Sequence, residues 1–172
     1  MSGGASRYLL AGGVSCLLLA FGGLVQPTKR LVLNTTASAP LGFYWLAGQE
    51  PDVGDLALVR PPPPLARWMA MRGYLPMNVP LIKRVAAVTG QLVCGDHGRV
   101  LIDGQAVAKV LLHDRLHRPL KGISGCRRVG EGEVFLLNSD APHSLDGRYF
   151  GPLPRQAVVG RLHPIWTWGA LR

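Results

Sequence analysis

The feature that most constrains this fold is an uncharged apolar segment near the N terminus. Residues 8–26 carry no charged side chain, lie between Arg7 and the Lys29-Arg30 pair, and are long enough to cross a bilayer as one helix. We therefore predict a membrane anchor over residues 1–29, with a transmembrane helix over about residues 8–26. A cleaved secretory signal is the alternative. Basic residues flank both ends, so the charges leave the orientation open.

The remaining residues, 30–172, have the composition of one β domain. Of the 172 residues, 22 are glycine and 14 are proline, so about a fifth of the chain interrupts helices. Hydrophobic residues make up 48% and charged residues 17%, which excludes a disordered chain. We predict a mainly β fold, an antiparallel β domain following one N-terminal transmembrane helix.

Short apolar runs between turn residues predict the strands of this domain. Asp103-Gly104 predicts a tight hairpin, because glycine readily adopts the positive φ of a two-residue turn. We expect a polyproline-like extended segment over residues 61–64 and one helix over residues 65–72. The predicted strands are 43–47, 55–60, 81–88, 92–94, 100–102, 105–107, 133–138 and 157–162.

The cysteines suggest one disulfide. Cys16 lies inside the apolar segment, which leaves Cys94 and Cys126 as a pair in the β domain. An even pair suits an oxidising compartment, and a bond closing a loop of about thirty residues would stabilise the domain by roughly 3–4 kcal/mol. Two unrelated buried thiols are the alternative.

The five histidines indicate no catalytic or metal site. His113 and His117 have the spacing of a zinc-protease helix, with Asp114 at the position of its glutamate. Pro119 follows at once and no helical apolar face surrounds them, so we predict an exposed polar loop.

Lys83 is the unusual basic residue, because the strand predicted around it is apolar on both sides. Burial disfavours the charged form of lysine, and a neutral amine can take a proton from a serine hydroxyl. The pattern by itself favours the alternative, a lysine on an edge strand with its amine in water.

Three segments stand out for their order along the chain: TASAP at 36–40, IKRVA at 82–86 and NSDAPHSLDGRYFGPLP at 138–154. Together they resemble the type I signal peptidase family of membrane-anchored Ser/Lys proteases. Within this family the chain most resembles the TraF conjugative-transfer peptidases, which process the precursor of the plasmid pilus subunit. The pointers to that branch are the short catalytic domain, residues 34–44 with PLGFY at 40–44 after the serine, and RGYL at 72–75 ahead of residues 81–85.

The resemblance implies that Ser38 is the nucleophile and Lys83 the general base. Thr36 matches the hydroxyl residue that helps the backbone N–H of Ser38 to form an oxyanion hole. Such a donor is worth a few kcal/mol of transition-state stabilisation. The resemblance implies a signal-peptidase-like fold and no cofactor or metal.

Three further residues have implied supporting roles. Ser144 matches the serine that orients the lysine amine, and Asp146 and Arg148 match a salt-bridged pair beneath the site. The chain departs from the family at Gly147, where a serine is usual, and at Ala39, where general signal peptidases usually carry methionine.

The implied protein is a serine endopeptidase of the bacterial inner membrane, with residues 30–172 in the periplasm. It would cleave the pilin precursor and could join the new ends into a ring. The expected partners are that precursor or another exported protein, inner-membrane lipids facing the net charge of +9, and mating-pair-formation components of type IV secretion. No direct nucleic-acid binding is expected, because no basic helix or aromatic-interleaved basic stripe is present.

Two other functions stay open at this stage. One is a general type I signal peptidase acting on many exported proteins. The other is a non-catalytic scaffold of the transfer apparatus, or a basic DNA-handling protein, in which Ser38 and Lys83 would be dispensable.

Overall fold

The N-terminal region is described only in part in this computed structural model, which covers residues 7–8, 10–17 and 30–168. Residues 7–8 and 10–17 are helical and exposed. The rest of the predicted transmembrane segment, residues 9 and 18–26, lies outside the described residues. Within the described residues, no helix combines the length and the apolar character needed to cross a membrane. The anchor and its cleaved alternative therefore stay predictions.

Residues 30–168 are mainly β, as the sequence predicted, and they form two antiparallel sheets. A seven-stranded sheet has the order β1-β2-β11-β3-β4-β9-β10, and a four-stranded sheet has the order β7-β6-β5-β8. The strands are β1 (Leu31–Asn34), β2 (Leu41–Ala47), β3 (Leu56–Val59), β4 (Leu81–Val88), β5 (Leu92–Asp96), β6 (Arg99–Ile102), β7 (Gln105–Lys109), β8 (Gly125–Arg128), β9 (Glu133–Leu136), β10 (Leu153–Pro154) and β11 (Val158–Trp168). Two helices accompany them, α1 (Pro63–Met71) and the short α2 (Gly147–Phe150).

Strand β4 lies at the centre of this architecture, between β3 and β9. Leu81 and Val85, on one face, pack with Met69 of α1. Because side chains alternate along a strand, Lys83 belongs to that same face. A bulge after Val85 shifts the pairing with β9, and Ala87 packs into a second core shared with the smaller sheet. Both faces of β4 are therefore covered, which explains its nearly continuous burial.

Helix α1 begins earlier than predicted. Pro63 and Pro64 are its first residues. The prediction of an extended segment over residues 61–64 is therefore wrong for residues 63 and 64. Proline is tolerated in the first turn of a helix, because the N–H groups there have no partner within the helix.

The hairpin at Asp103-Gly104 is confirmed. Both residues have positive φ, 49° and 83°, and they connect β6 to β7.

Three strands were not predicted: β1, β8 and β10. Cys94 of β5 and Cys126 of β8 lie directly opposite each other and are joined by a disulfide.

Candidate active site

A cavity of about 450 Å³ opens on the face of the larger sheet that carries Lys83. Its walls come from the turn after β1, the start of β4, the segment after α1 and two loops, residues 111–120 and 141–145. Thr36, Ser38, Lys83 and Ser144, four of the residues predicted from the sequence, all line it.

Lys83 is buried, with 2% of its surface exposed, on a strand paired on both sides. The alternative of an edge-strand lysine with a hydrated amine is therefore wrong. Its Nζ donates a hydrogen bond to Ser144 Oγ at 2.7 Å. Burial lowers the pKa of Lys83 to about 8, against the opposing effect of the Asp146 carboxylate and with some help from Arg148. At pH 7.4 roughly a fifth of the amine is consequently neutral, against under about 0.1% for an ordinary lysine.

Ser38 lies in a tight turn between β1 and β2 that Asn34 holds in shape. The Asn34 side chain is buried and its Nδ2 donates to the carbonyl oxygens of Thr36, Ala39 and Pro40, each at 3.0 Å. Its Oδ1 accepts from the backbone N–H of Thr36 at 3.0 Å. The amide thus fixes both ends of the turn and leaves Ser38 half-buried at its tip.

Thr36 lies beside the nucleophile candidate, with its Oγ1 3.5 Å from Ser38 Oγ. The same hydroxyl donates to Asn34 Oδ1 at 2.9 Å. A hydroxyl has one proton to donate, so Thr36 must rotate away from Asn34 before it can stabilise an oxyanion.

Asp146 and Arg148 form a buried ion pair below the cavity, with side chains 0% and 1% exposed. Arg148 Nε and Nη2 contact the two Asp146 oxygens at 2.7 and 2.9 Å. The guanidinium also donates to the carbonyl oxygens of Asn138, Ala141 and Pro142, which belong to the loop that ends at Ser144. The pair therefore fixes the loop that carries the partner of Lys83.

The presence of glycine at position 147 has a steric explanation in this chain. A Cβ at this position would lie 2.6 Å from the carbonyl oxygen of Leu136 and 2.7 Å from the ring of Phe135. The serine that is usual in the family does not fit this backbone, so the departure at Gly147 follows from packing against β9.

Asn138 is the first residue of the third motif, at 138–154, and the sequence does not indicate its role. It is 6% exposed, and its side chain hydrogen-bonds the backbone on both sides of Lys83 as well as the carbonyl oxygen of Ser38. Asn34 was missed as well. The Asn138 contacts reach residues 54 to 100 positions away, which the sequence does not show. Those of Asn34 lie within six positions, so an asparagine at the start of a turn is the signal that could have found them.

The loop around His113 and His117 is exposed and non-helical, and His117 has a φ of 56°. Asp114 fixes this loop by accepting hydrogen bonds from Tyr74 and Arg118. Among the described residues, no group of three or more potential metal ligands is close enough to hold an ion.

The arrangement can perform acyl transfer. A half-buried hydroxyl and a buried amine with a lowered pKa face one cavity, and a second hydroxyl orients the amine. A nucleophile paired with a base that is itself held by a third group is the usual organisation of covalent hydrolases. Here Ser144 holds Lys83, while no hydrogen bond joins Ser38 Oγ to Lys83 Nζ in the described part of the chain.

Comparisons with known proteins relate this chain to signal peptidases and to TraF transfer proteins. The family model described as signal peptidase, peptidase S26, matches residues 6–168. The plasmid transfer protein TraF of Escherichia coli is 30% identical over 173 aligned residues, covering 95% of this chain and 96% of that protein. A probable conjugal transfer protein TraF of Sinorhizobium fredii is 36% identical, over 79% of this chain and 77% of that protein. A probable signal peptidase I-1 of Synechocystis is 32% identical, over 70% of this chain and 59% of that protein.

Proposed function

This chain belongs to the peptidase S26 family of signal peptidases, and from that premise we propose that it is a serine endopeptidase with a Ser38/Lys83 dyad that processes the pilin precursor for conjugative transfer. The observation that carries the proposal is the buried Lys83 amine, held by Ser144 in the same cavity as Ser38. The TraF relatives, whose names are plasmid transfer and conjugal transfer proteins, support a role in conjugative transfer, because they align over most of both chains.

In the proposed reaction, neutral Lys83 Nζ takes the proton of Ser38 Oγ as that oxygen attacks the scissile carbonyl carbon. The Ser38 N–H and, after rotation, the Thr36 hydroxyl donate to the resulting oxyanion. As the C–N bond breaks, the Lys83 ammonium gives its proton to the leaving amine. Ser144 keeps the amine in place throughout by its hydrogen bond to Nζ.

The acyl group on Ser38 is then released by one of two nucleophiles. Water would give a linear product, and the N-terminal amine of the substrate itself would give a ring. In both cases Lys83 removes the proton from the attacking group and gives it to Ser38 Oγ as the ester bond between the acyl carbon and Ser38 breaks.

The substrate is proposed to bind as an added strand. β1 is the terminal strand of the larger sheet, and its residues Val32, Leu33 and Asn34 line the cavity. An extended peptide can hydrogen-bond to such a free edge and direct alternate side chains into shallow pockets. This binding mode places the scissile bond at the turn that carries Ser38.

The proposed location is the inner membrane, with the catalytic domain in the periplasm. The disulfide between Cys94 and Cys126 supports an oxidising compartment. The net charge of +9 suits contact with anionic headgroups, and the mating-pair-formation components are the proposed protein partners.

The test is the intact mass of the pilin subunit from cells carrying wild-type, Ser38→Ala or Ser124→Ala chains. Ser124 is an exposed serine that does not line the cavity, which makes it a matched control. We expect a shortened pilin with wild type and Ser124→Ala, and an extended precursor with Ser38→Ala. A product lighter by one water than the linear peptide indicates ring closure.

The same cells separate the alternatives. Accumulation of many unprocessed exported proteins in Ser38→Ala would indicate a general signal peptidase, as in the Synechocystis relative's name. An unchanged mature pilin together with intact pili and DNA transfer in both Ser38→Ala and Lys83→Ala would contradict the peptidase and favour the scaffold.

A further inference from the structure

Asn138 continues the hydrogen-bond ladder between β9 and β4 beyond the end of β9. The last backbone bond of this ladder runs from Leu137 N to Arg84 O at 2.9 Å. From there the Asn138 side chain takes the place of a backbone pair. Its Oδ1 accepts from Arg84 N at 2.9 Å and its Nδ2 donates to Ile82 O at 3.1 Å.

These two contacts lie on either side of Lys83. The N–H of Arg84 and the carbonyl of Ile82 point to the same edge of β4, as the groups flanking one residue do in an antiparallel ladder. The amide of Asn138 therefore holds the backbone from which the Lys83 side chain projects.

The same amide also reaches the nucleophile. Asn138 Nδ2 donates to the carbonyl oxygen of Ser38, so its two N–H groups serve that carbonyl and the carbonyl of Ile82, the residue before Lys83. Ser38 and Lys83 lie on segments 45 positions apart in the sequence, and one planar group connects their backbones.

The backbone of Asn138 is itself fixed by the buried ion pair. Its N–H donates to Asp146 Oδ2 at 3.1 Å and its carbonyl accepts from Arg148 Nη2 at 2.9 Å. With its side chain 6% exposed and its polar groups bonded, this residue has little freedom to move.

Building on the proposed dyad, we propose that Asn138 is a positioning residue that sets the spacing between Ser38 and Lys83. Its amide bonds to backbone groups and not to Ser38 Oγ or Lys83 Nζ, and it does not line the cavity. It acts through the two backbones, and proton transfer between a hydroxyl and an amine depends steeply on the distance between them.

The test compares Asn138→Ala with Gln91→Ala in the full-length chain, using a peptide that spans the pilin cleavage site. Gln91 is a matched amide, because its side chain also accepts from a backbone N–H, that of Val88, and donates to Asp103, yet it lies outside the cavity. We expect Asn138→Ala to lower kcat by about 10- to 100-fold with KM within about threefold. Gln91→Ala should leave both constants within about twofold.

A purely structural role predicts a different result. If Asn138→Ala lowers the melting temperature as Gln91→Ala does and leaves kcat within about twofold of that control, the positioning role is wrong. Rates are measured well below the melting temperatures of both variants, so that unfolding does not contribute to any loss of kcat.

Asn138→Asp gives a second readout that does not need cleavage. It keeps the acceptor for Arg84 N and places a carboxylate beside the Lys83 strand, so it should raise the pKa of Lys83. The chain has four lysines, which makes the Lys83 amine assignable by NMR with labelled lysine. This variant also decides the question if Asn138→Ala does not fold, because an unmoved Lys83 pKa together with an unchanged kcat overturns the proposal.

The outcomes separate this inference from the proposed function. If the wild-type chain cleaves no peptide while the Lys83 titration responds to Asn138→Asp, the peptidase function fails and the coupling of Asn138 to the lysine stands. If wild type cleaves normally and Asn138→Ala behaves as Gln91→Ala, the peptidase stands and the positioning role fails.

Discussion

Burial and the charge of Asp146 have opposite effects on the pKa of Lys83. An ammonium group inside a sheet loses its hydration, and the protein offsets only part of that loss through Ser144 and the nearby Asp146 carboxylate. As a result, the pKa of the Lys83 amine is lowered from the ordinary lysine value of 10.5 to about 8. A general base with a pKa near the working pH combines a sufficient neutral fraction with good proton affinity.

This environment predicts the pH dependence of cleavage. Because the base must be neutral, kcat/KM should rise with pH through about 8 and reach a plateau above it. Steady-state rates from pH 6 to 10 on a precursor peptide check this, with the melting temperature followed in the same buffers. A flat profile between pH 7 and 9 would exclude Lys83 as the base.

Gly147 provides a prediction on packing. Gly147→Ser should lower the free energy of unfolding by about 1–3 kcal/mol, because its Cβ would meet the backbone oxygen of Leu136, which cannot move without disturbing β9. Gly48→Ser is the matched control, since nothing lies within 4 Å of a Cβ there. Chemical denaturation measures both, and equal stabilities for the two variants would contradict the steric explanation.

The proposed catalytic residues were easier to predict than the residues that hold them in place. Lys83 stood out because an ionisable side chain in an apolar strand is rare. Asn138 did not, because its amide acts on backbone groups that only the tertiary structure brings near. Asn34 was missed although its contacts are local, because many polar residues begin turns without holding a functional one.

Among the elements, strands with alternating or continuous apolar character were predicted well. The predicted bounds of β4 are the observed ones, since both of its faces are covered. β8 was missed because all four of its residues are exposed and it carries no apolar signal. β10 has only two residues, one of them a proline, and sequence patterns do not resolve elements of that length.

The loop between β9 and α2 depends on the Asp146–Arg148 pair. Arg148→Met should lower the free energy of unfolding by about 3–5 kcal/mol, because it leaves the Asp146 charge buried without its partner. Glu50→Gln, in the more exposed pair with Arg155, should cost under about 1 kcal/mol. Urea denaturation of the two variants measures both free energies of unfolding. Similar losses of stability in the two would mean that the buried pair is not a main support of the loop.

For the whole molecule, the disulfide links β5 and β8 in the smaller sheet. Replacing both Cys94 and Cys126 by serine should lower stability by roughly 3–4 kcal/mol, because the bond restricts a loop of 32 residues in the unfolded chain. Denaturation of wild type with and without reductant should show the same loss. A midpoint that ignores the reductant would show that the bond does not contribute to stability.

The sequence could describe the β architecture and the family of this chain, but not the packing of its two sheets. The β architecture followed from turn residues and apolar runs, and the family followed from three motifs in a fixed order. The packing of the two sheets did not follow, because it depends on a bulge in β4 that redirects Ala87 and gives no sequence signal.

The most direct test of the account is cleavage of the precursor peptide by the purified chain, with single substitutions at the two dyad residues. Ser38→Ala and Lys83→Ala should each reduce kcat/KM by at least about a thousandfold while remaining folded. Ser124→Ala and Lys121→Ala, which change exposed residues of the same types, should stay within about twofold of wild type. Retention of wild-type activity by either dyad variant would contradict the Ser38/Lys83 mechanism.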